Sequence, residues 1–300
     1  MGKRRNKPNA AEIGDIKSRI ERAMDRLLNS IDSRIAGRFE ALPTPINEFG
    51  VDEFGFSPSY AKNFLLPFAI LYKYYFRVQT FGIENIPQGS CIFISNHAGQ
   101  LPIDGSMIAA AVLLEADPPR LVRSMVERFA FSLPYVSIFM QRTGQIVGTP
   151  ENCLRLLNAG ESILIFPEGV KGISKLFSER YKLQEFTSGF MRLALSAGAP
   201  IVPTAVIGSE EQMPAFANAK RLAKLLSMPA LPITPTHPLI PALGLFPYPV
   251  KYRIYFGEPM SFKGDPTDDE DKLQTKVKIV HNTIQTMLQK GLEERKHVFW

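Results

Sequence analysis

Apolar side chains recur every three or four residues across residues 11–40, which is the period of an amphipathic helix. The opposite face mixes acidic with basic side chains, whereas helices that lie on membranes favour Lys and Arg there. We therefore predict a helix over 11–40 that packs against the protein core or a partner. The apolar line of this helix comprises Ile13, Ile16, Ile20, Met24, Leu27, Ile31, Ile35 and Phe39.

Residues 41–60 contain several Pro and Gly and are predicted to form a loop or linker. Residues 63–78 form the most apolar stretch of the chain, but Lys73 and Arg77 interrupt it before the 20 or so apolar residues that a membrane-spanning helix needs. Two interpretations stay open for this predicted helix. It is either buried beneath the core, or it lies at a membrane interface, where tyrosines are favoured.

From residue 82 onward, short apolar runs alternate with helical segments. We predict strands over 91–95, 121–124, 162–166, 200–207 and 250–256, with Ile146 and Val147 preceding a helix that ends at Gly160. Further helices are predicted over 102–115, 190–197 and 267–290, and the last has the apolar line Leu273, Val277, Val280, Ile284 and Met287. This alternation predicts the α/β class, with a mixed, largely parallel sheet flanked by helices.

The chain is predicted to divide into an N-terminal helical segment, residues 1–78, and a domain over 79–300. The domain has its motif core at 80–210 and a C-terminal strand and helix within 250–290. Prolines recur through residues 228–249, so this apolar stretch cannot be a regular helix. We expect an extended arm over the sheet, with a lipid-facing lip as the alternative.

The chain has 300 residues, a formal net charge of +6 and a sequence pI of about 9.2. This suits an anionic membrane surface, an acidic carrier or phosphate ligands. Nucleic-acid binding is not expected, because the basic residues are spread out and no recognition motif accompanies them. Cys91 and Cys153 lack disulfide or metal spacing, and the basic residues 1–7 precede no apolar run, so we expect a cytoplasmic protein without a secretory signal.

Candidate chemistry follows two of the predicted strands. His97 and Asp104 come just after the strand over 91–95, and Glu168 and Gly169 come just after the strand over 162–166. Ligand sites in such sheets lie beyond the carboxyl ends of the strands. With Arg142 between them in sequence, these residues supply a base, a carboxylate to orient it and a cation for anions, which are the parts that acyl transfer needs.

These residues stand in four blocks that resemble the motifs of the glycerolipid acyltransferase family, which includes the 1-acylglycerol-3-phosphate O-acyltransferases. The blocks are Asn96-His97 with Asp104, Phe139-x-x-Arg142-x-Gly144, Phe166-Pro167-Glu168-Gly169, and the apolar run 201–206 around Pro203. Two features depart from the family pattern. Six residues rather than four separate His97 from Asp104, and Val170-Lys171 replaces the family's Thr-Arg.

The resemblance implies an enzyme of lipid metabolism, of the kind that serves phospholipid biosynthesis. His97 would be the general base and Asp104 the carboxylate that orients it, while Arg142, Gly144, Glu168, Gly169 and Lys171 would bind the substrate. For Asp104, a favourable interaction with the helix dipole is the alternative role, and for Arg142 and Glu168 it is an ordinary ion pair. For the three lysines that follow Glu168, contact with phosphates of the donor or acceptor and a solvated basic face both stay open. These lysines are Lys171, Lys175 and Lys182. Because Lys is a point charge where Arg clamps phosphate in two places, a neutral or sugar-bearing acceptor stays open beside lysophosphatidate.

No Gly-x-Ser-x-Gly elbow or metal-binding motif occurs in the sequence, which predicts direct transfer without a covalent enzyme intermediate, metal or cofactor. The donor would be acyl-CoA or an acyl-carrier protein, and the acceptor a membrane lipid, with the enzyme peripheral on the cytoplasmic face of a membrane. Two other functions stay open: a non-catalytic lipid-binding or scaffold protein of the same fold, and an acyl-thioester hydrolase.

Overall fold

A computed structural model describes residues 33, 35–98, 102–219, 232–234 and 246–300. Most of the helix predicted over 11–40 lies outside the described residues, but residues 35–40 are helical and Ile35 and Phe39 of its apolar line are buried. The predicted arm over 228–249 likewise lies mostly outside them.

Runs of aliphatic residues form a seven-stranded sheet in the described part of the chain. The central strands β2 and β6 are buried along their whole length, which explains why they are mainly apolar rather than alternating. A separate two-stranded ribbon joins β7 to β8. The strands are β1 (Gln79–Phe81), β2 (Ile92–Ser95), β3 (Val122–Val126), β4 (Ile146–Val147), β5 (Ser162–Ile165), β6 (Ile201–Ile207), β7 (Ala217–Asn218), β8 (Pro232–Ile233) and β9 (Arg253–Phe256).

Helices connect these strands, and a π-helical turn, Leu71–Tyr75, continues the first of them. Short 3-10 turns occur at Ile83–Asn85 and Phe177–Glu179. The helices are α1 (Pro58–Ile70), α2 (Ile103–Glu115), α3 (Arg128–Ser132), α4 (Val136–Arg142), α5 (Pro150–Asn158), α6 (Val170–Ile173), α7 (Gly189–Ala197) and α8 (Glu270–Glu294).

The strand order is β1-β9-β6-β2-β5-β3-β4. Strands β6, β2, β5, β3 and β4 run parallel, while β9 pairs antiparallel with β6 and parallel with β1. The predicted mixed, largely parallel sheet flanked by helices is therefore confirmed. Because β2, β5 and β3 are parallel neighbours, the residues that follow each of them emerge at the same edge of the sheet.

Two apolar layers cover the sheet. On one face, α5, α7 and α8 pack through a cluster that includes Leu156, Met191 and Val280. On the other face, α2 and the π turn pack on the strands. Helix α1 lies outside this second layer, because its buried Ala61 and Ala69 join a cluster with Leu113 of α2.

Several boundaries differ slightly from the predicted ones. The helix predicted from residue 102 begins at Ile103, with Pro102 as its N-cap, and α1 begins at Pro58, within the predicted loop. In α8 the predicted apolar line is buried up to Ile284, after which Leu288 rather than Met287 is fully buried. Among the described residues, no helix has both the length and the apolar character needed to cross a bilayer. The domain boundary at residue 78 stays a prediction.

Candidate active site

His97 and Asp104 are in direct contact despite the longer spacing between them. The Nδ1 atom of His97 lies 2.7 Å from Oδ2 of Asp104. The backbone N–H of Ala98 donates to the same carboxylate oxygen at 2.9 Å, and that of Gly105 donates to Oδ1 at 2.8 Å. The Asp104 side chain is fully buried, whereas that of His97 is 16% exposed. The first turn of α2 thus presents a fixed carboxylate to a ring that solvent still reaches.

Asn96 joins β2, the strand that precedes His97, to the neighbouring strand β6. The Asn96 amide donates to the carbonyl oxygen of Val206 at 3.0 Å, and its oxygen accepts from the N–H of Val206 at 2.8 Å. This pair of bonds continues the β2–β6 ladder beyond the last paired backbone residues. The His97 ring also stacks on Phe166, with centroids 4.0 Å apart and planes 18° apart. Together these contacts fix both the backbone and the ring plane of His97.

Glu168 supports the same histidine from the end of the neighbouring strand β5. Its Oε1 accepts a hydrogen bond from the backbone N–H of His97 at 2.9 Å, and its Oε2 accepts from the N–H of Gln184 at 2.8 Å. The side chain is buried. Both carboxylate oxygens therefore have partners within the protein, which places Glu168 among the groups that hold His97. Its predicted contact with a substrate headgroup stays a prediction.

The buried ammonium group of Lys175 lies between the carboxylates of Glu168 and Glu210. The Lys175 Nζ is 3.1 Å from Oε2 of Glu168 and 3.0 Å from Oε1 of Glu210, and the lysine side chain is only 4% exposed. Burial lowers the pKa of Lys175, but the charges of Glu210 and Glu168 outweigh that effect and leave the pKa above its ordinary value. Burial raises the pKa of Glu210, although Lys175 opposes the rise.

Two glycines set the path of the chain after Glu168. Gly169 has a φ of +54°, in the left-handed region that favours glycine, and caps the short helix α6. A Cβ atom on Gly172 would lie 2.9 Å from the Cβ of Glu168 and 3.1 Å from the Cβ of His97. Only a residue without a side chain fits there, so α6 can pack directly against the backbone of His97.

The cation predicted to bind the headgroup lies at the end of α4. The Arg142 side chain is exposed, and its guanidinium carbon lies 5.5 Å from the centroid of the Tyr60 ring. Within the described part of the chain Arg142 has no ion pair with Glu168. The structure thus brings His97, Asp104 and Glu168 together but places Arg142 on the surface of α1 and α4.

Gly144 is buried rather than lining an open cleft. It has a φ of +93°, and a Cβ atom there would lie 3.3 Å from the Phe56 ring and 3.4 Å from Nη1 of Arg123. Arg123 is fully buried and forms ion pairs with Asp52 and Glu161. Gly144 therefore makes room for a buried structural arginine, and its substrate-binding role stays a prediction.

Lys171, which replaces the family's arginine, is exposed. Its side chain is 67% exposed and lies 3.6 Å from Oε2 of Glu185, itself an exposed residue. An exposed pair of this kind is weak, at about 0 to 1 kcal/mol. Lys171 is therefore free to turn toward a ligand that arrives at this edge of the sheet.

A small pocket, part of which is open to solvent, adjoins the residue after His97. Ala98, Gly172, Leu176 and Met213 line it together with the charged side chains of Lys175, Arg180 and Glu210. The Arg180 guanidinium carbon lies 4.4 Å from the centroid of the Phe177 ring. The pocket beside the candidate dyad therefore has both apolar and charged walls.

Three supporting residues were not predicted from the sequence. The sequence leaves Lys175 open as a phosphate contact or a solvated surface residue, whereas the structure buries it between Glu168 and Glu210. The sequence indicates no role for Glu210 or Gly172. The one signal available for Gly172 is its place in the Gly-rich stretch that follows Glu168, whereas nothing local marks Glu210 as buried.

Comparisons with known proteins bear on the family to which the chain is related. The model of a family described as Acyltransferase matches residues 77–207. An uncharacterized protein of Mycobacterium leprae is 40% identical over 259 residues, which is 84% of this chain and 71% of that protein. A Gallus gallus protein named "DGAT1/2-independent enzyme synthesizing storage lipids" is 30% identical over 211 residues, which is 70% of this chain and 59% of that protein.

Among solved structures, the 1-acyl-sn-glycerophosphate (LPA) acyltransferase PlsC from Thermotoga maritima is similar, with a TM-score of 0.49 and 18% identity. The similarity covers 79% of this chain and 81% of that chain.

The four motif blocks all lie within the part of the chain that matches the Acyltransferase model. The chain therefore contains a domain of the Acyltransferase family over residues 77–207. This confirms the family resemblance that the four sequence blocks indicate. The donor, the acceptor and the roles of the individual residues stay predictions.

Proposed function

We propose that this protein is an O-acyltransferase that moves a fatty acyl group from an acyl-CoA or acyl-carrier-protein thioester to a hydroxyl group of a (lyso)glycerophospholipid or a related lipid. The observation that carries the proposal is the contact of 2.7 Å between His97 Nδ1 and Asp104 Oδ2, in a ring that solvent can reach. A histidine held by a buried carboxylate is the arrangement of a general base.

In the proposed reaction the acyl group passes directly from the thioester to the acceptor hydroxyl, without a covalent enzyme intermediate. With Nδ1–H of His97 donating to Asp104, Nε2 accepts the proton of the acceptor hydroxyl as its oxygen attacks the thioester carbonyl carbon. The Asp104 carboxylate stabilises the imidazolium that forms. The C–S bond then breaks, the imidazolium returns the proton to the departing thiolate, and an ester and a free thiol remain.

The supporting residues are proposed to hold this geometry. Glu168 fixes the backbone of His97, and Gly169 and Gly172 let α6 approach it closely. Arg142 and Lys171 are exposed cations, which suits them to an anionic headgroup or to the phosphates of the donor. Gly144 follows the end of α4, the helix that carries Arg142, and allows the turn there.

The acceptor class has two candidates. A lysophosphatidate acceptor follows from the family motifs, whereas the name of the chicken relative, which refers to storage lipids, favours a neutral glycerolipid. The replacement of the family's arginine by Lys171 also favours the neutral acceptor, because Lys lacks the bidentate phosphate contact of Arg. Both candidates require the same proton transfer by His97.

The test is an assay of the purified full chain with acyl-CoA or acyl-carrier protein and a panel of acceptors. The panel contains lysophosphatidate, lysophosphatidylcholine, monoacylglycerol and diacylglycerol. Free thiol is measured together with the lipid products by mass spectrometry. An acyltransferase releases thiol and forms one acylated lipid for each thiol. Thiol release with free fatty acid and no acceptor would identify a hydrolase, and lipid binding without thiol release would identify a non-catalytic lipid-binding protein.

A further inference from the structure

One face of the His97 ring lies against the side chain of Phe166. The two rings stack with their centroids 4.0 Å apart and their planes 18° apart. Asp104 contacts the same imidazole at the Nδ1 atom, on its edge. The candidate base is therefore in contact with a carboxylate at one edge and with an aromatic ring at one face, and the two contacts act on it from different directions.

The turn that follows β5 holds Phe166 in this position. The carbonyl oxygen of Phe166 accepts a hydrogen bond from the N–H of Gly169 at 3.0 Å. Glu168, in the same turn, accepts one from the backbone N–H of His97. A single turn thus contacts His97 twice, since Glu168 holds its backbone while Phe166 holds its ring.

The tip of the Phe166 ring lies beside the start of α2. A Cβ atom on Gly105, the residue after Asp104, would lie 3.4 Å from Cε2 and 3.5 Å from Cζ of Phe166. Phe166 also packs in the apolar layer that includes α2. With His97 against its face and the backbone of α2 beside its tip, the Phe166 ring has little room to turn away from the imidazole.

A stacked aromatic ring distinguishes a charged imidazole from a neutral one. The face of a benzene ring carries negative electrostatic potential, and it attracts a cation that lies within about 6 Å of the centroid. A neutral imidazole lacks that attraction, whereas an imidazolium gains it. The ring also excludes water from the same face, which disfavours the charge. At a separation of 4.0 Å, with 16% of the His97 side chain still exposed to water, we expect the attraction to exceed the loss of hydration.

We propose that Phe166 is a positioning residue for the acyl transfer, in which it fixes the plane of His97 and stabilises the imidazolium through the face of its ring. This inference rests on the proposed acyltransferase function, because the charge arises when Nε2 of His97 accepts the proton of the acceptor hydroxyl. The stabilisation belongs to the transition state and not to the bound acceptor, so it increases kcat and leaves KM unchanged.

The first experiment is the substitution Phe166→Leu, which keeps an apolar side chain but removes the aromatic face. We expect kcat for ester formation to fall by about tenfold or more, while the KM for the acceptor changes by less than about twofold. The matched control is Phe262→Leu. Phe262 is also partly buried, but it packs against the apolar cluster on the other face of the sheet. The control should keep the kcat of the wild type.

The second experiment separates the charge distribution of the ring from its shape. Monofluoro-, trifluoro- and pentafluorophenylalanine are incorporated in turn in place of Phe166 in the full chain. Fluorine withdraws electron density from the face of the ring and weakens its attraction for a cation, while the ring still stacks and still excludes water. We expect kcat to fall stepwise along the series at a constant KM, by about tenfold in total, which corresponds to about 1.4 kcal/mol. The same series at Phe262 should give a constant kcat.

Urea unfolding checks that each variant is folded, and the fluorinated rings decide the question if Phe166→Leu does not fold. An active wild type whose kcat is unchanged by every fluorinated ring would overturn the inference and leave the proposed function intact. A raised KM with an unchanged kcat in Phe166→Leu would also overturn it, because Phe166 would then contact the acceptor. A wild type that forms no ester with any acceptor would overturn the proposed function, and the inference with it.

Discussion

The backbone N–H of His97 donates a hydrogen bond to Oε1 of Glu168 at 2.9 Å. This bond joins the ends of two neighbouring parallel strands, β2 and β5, at the residues that the sequence motifs single out. Because Lys175 lies against the other oxygen of the same carboxylate, the position of His97 depends on a buried charged group.

Glu168→Gln is expected to lower kcat by about tenfold to a hundredfold, with a smaller change in the KM for the acceptor. The amide keeps the shape of the side chain but loses the charge that pairs with Lys175, and a small displacement of a catalytic base costs about this much. Glu185→Gln, at a residue that is 92% exposed, is the control. A raised KM with an unchanged kcat would instead assign Glu168 to the headgroup.

Lys175→Met is expected to destabilise the protein by about 3 to 5 kcal/mol, because it leaves two buried carboxylates without their counter-charge. Urea unfolding of the wild type and the variant measures the difference. Adding Glu210→Gln to the variant should recover part of the loss. Lys182→Met, at an exposed lysine nearby, is the control, and an equal loss there would contradict the account.

The stabilisation that Lys175 contributes should depend on pH. The pKa of Lys175 lies above its ordinary value of 10.5. A raised pKa in the folded state means that folding favours the protonated lysine, so its stabilisation is complete below pH 10.5 and is lost as the pH rises through the folded pKa. The difference in unfolding free energy between wild type and Lys175→Met should therefore be smaller at a pH above the folded pKa of Lys175 than near pH 9.

Gly172→Ala is expected to lower activity and to destabilise the protein by about 1 to 3 kcal/mol, because the new methyl group would press on Glu168 and His97. Gly189→Ala is the matched control, since a Cβ atom there meets nothing within 4 Å. It begins a helix and is expected to be neutral or slightly stabilising. Equal effects of the two substitutions on turnover would show that α6 does not constrain His97.

Arg142→Ala is expected to raise the KM for a phosphorylated acceptor by about tenfold or more and to affect a neutral acceptor less, because a charged hydrogen bond to phosphate contributes about 1.5 to 3 kcal/mol. Arg155→Ala removes another exposed arginine, on α5, and serves as the control. Equal losses with both acceptors would argue against a phosphate contact at Arg142.

The sequence predicts the buried strands and long helices well, because their apolar residues are continuous or strictly periodic. β2, β5 and β6 are predominantly apolar runs, and α8 has the predicted line from Leu273 to Ile284. Strand β1 was not predicted, since it has only three residues and lies half-exposed at the sheet edge. The pair α3–α4 was also missed, because none of its residues is buried and its apolar side chains follow no clear period.

The candidate dyad was predicted from motif residues, and the structure places His97 and Asp104 in contact in spite of the two additional residues between them. The network behind them could not be predicted. A lysine is usually exposed, so the sequence gives no reason to bury Lys175. Its partner Glu210 follows β6, far along the chain, and only the folded sheet brings the two together.

The most direct test of the central claim is the rate at which His97→Ala forms acylated lipid from a thioester and an acceptor that the wild type uses. Asp104→Asn is measured beside it, with urea unfolding as the check that both variants are folded. The account predicts a loss of at least about a thousandfold for His97→Ala and about a hundredfold or more for Asp104→Asn. A folded His97→Ala variant that forms the ester at the wild-type rate would contradict it.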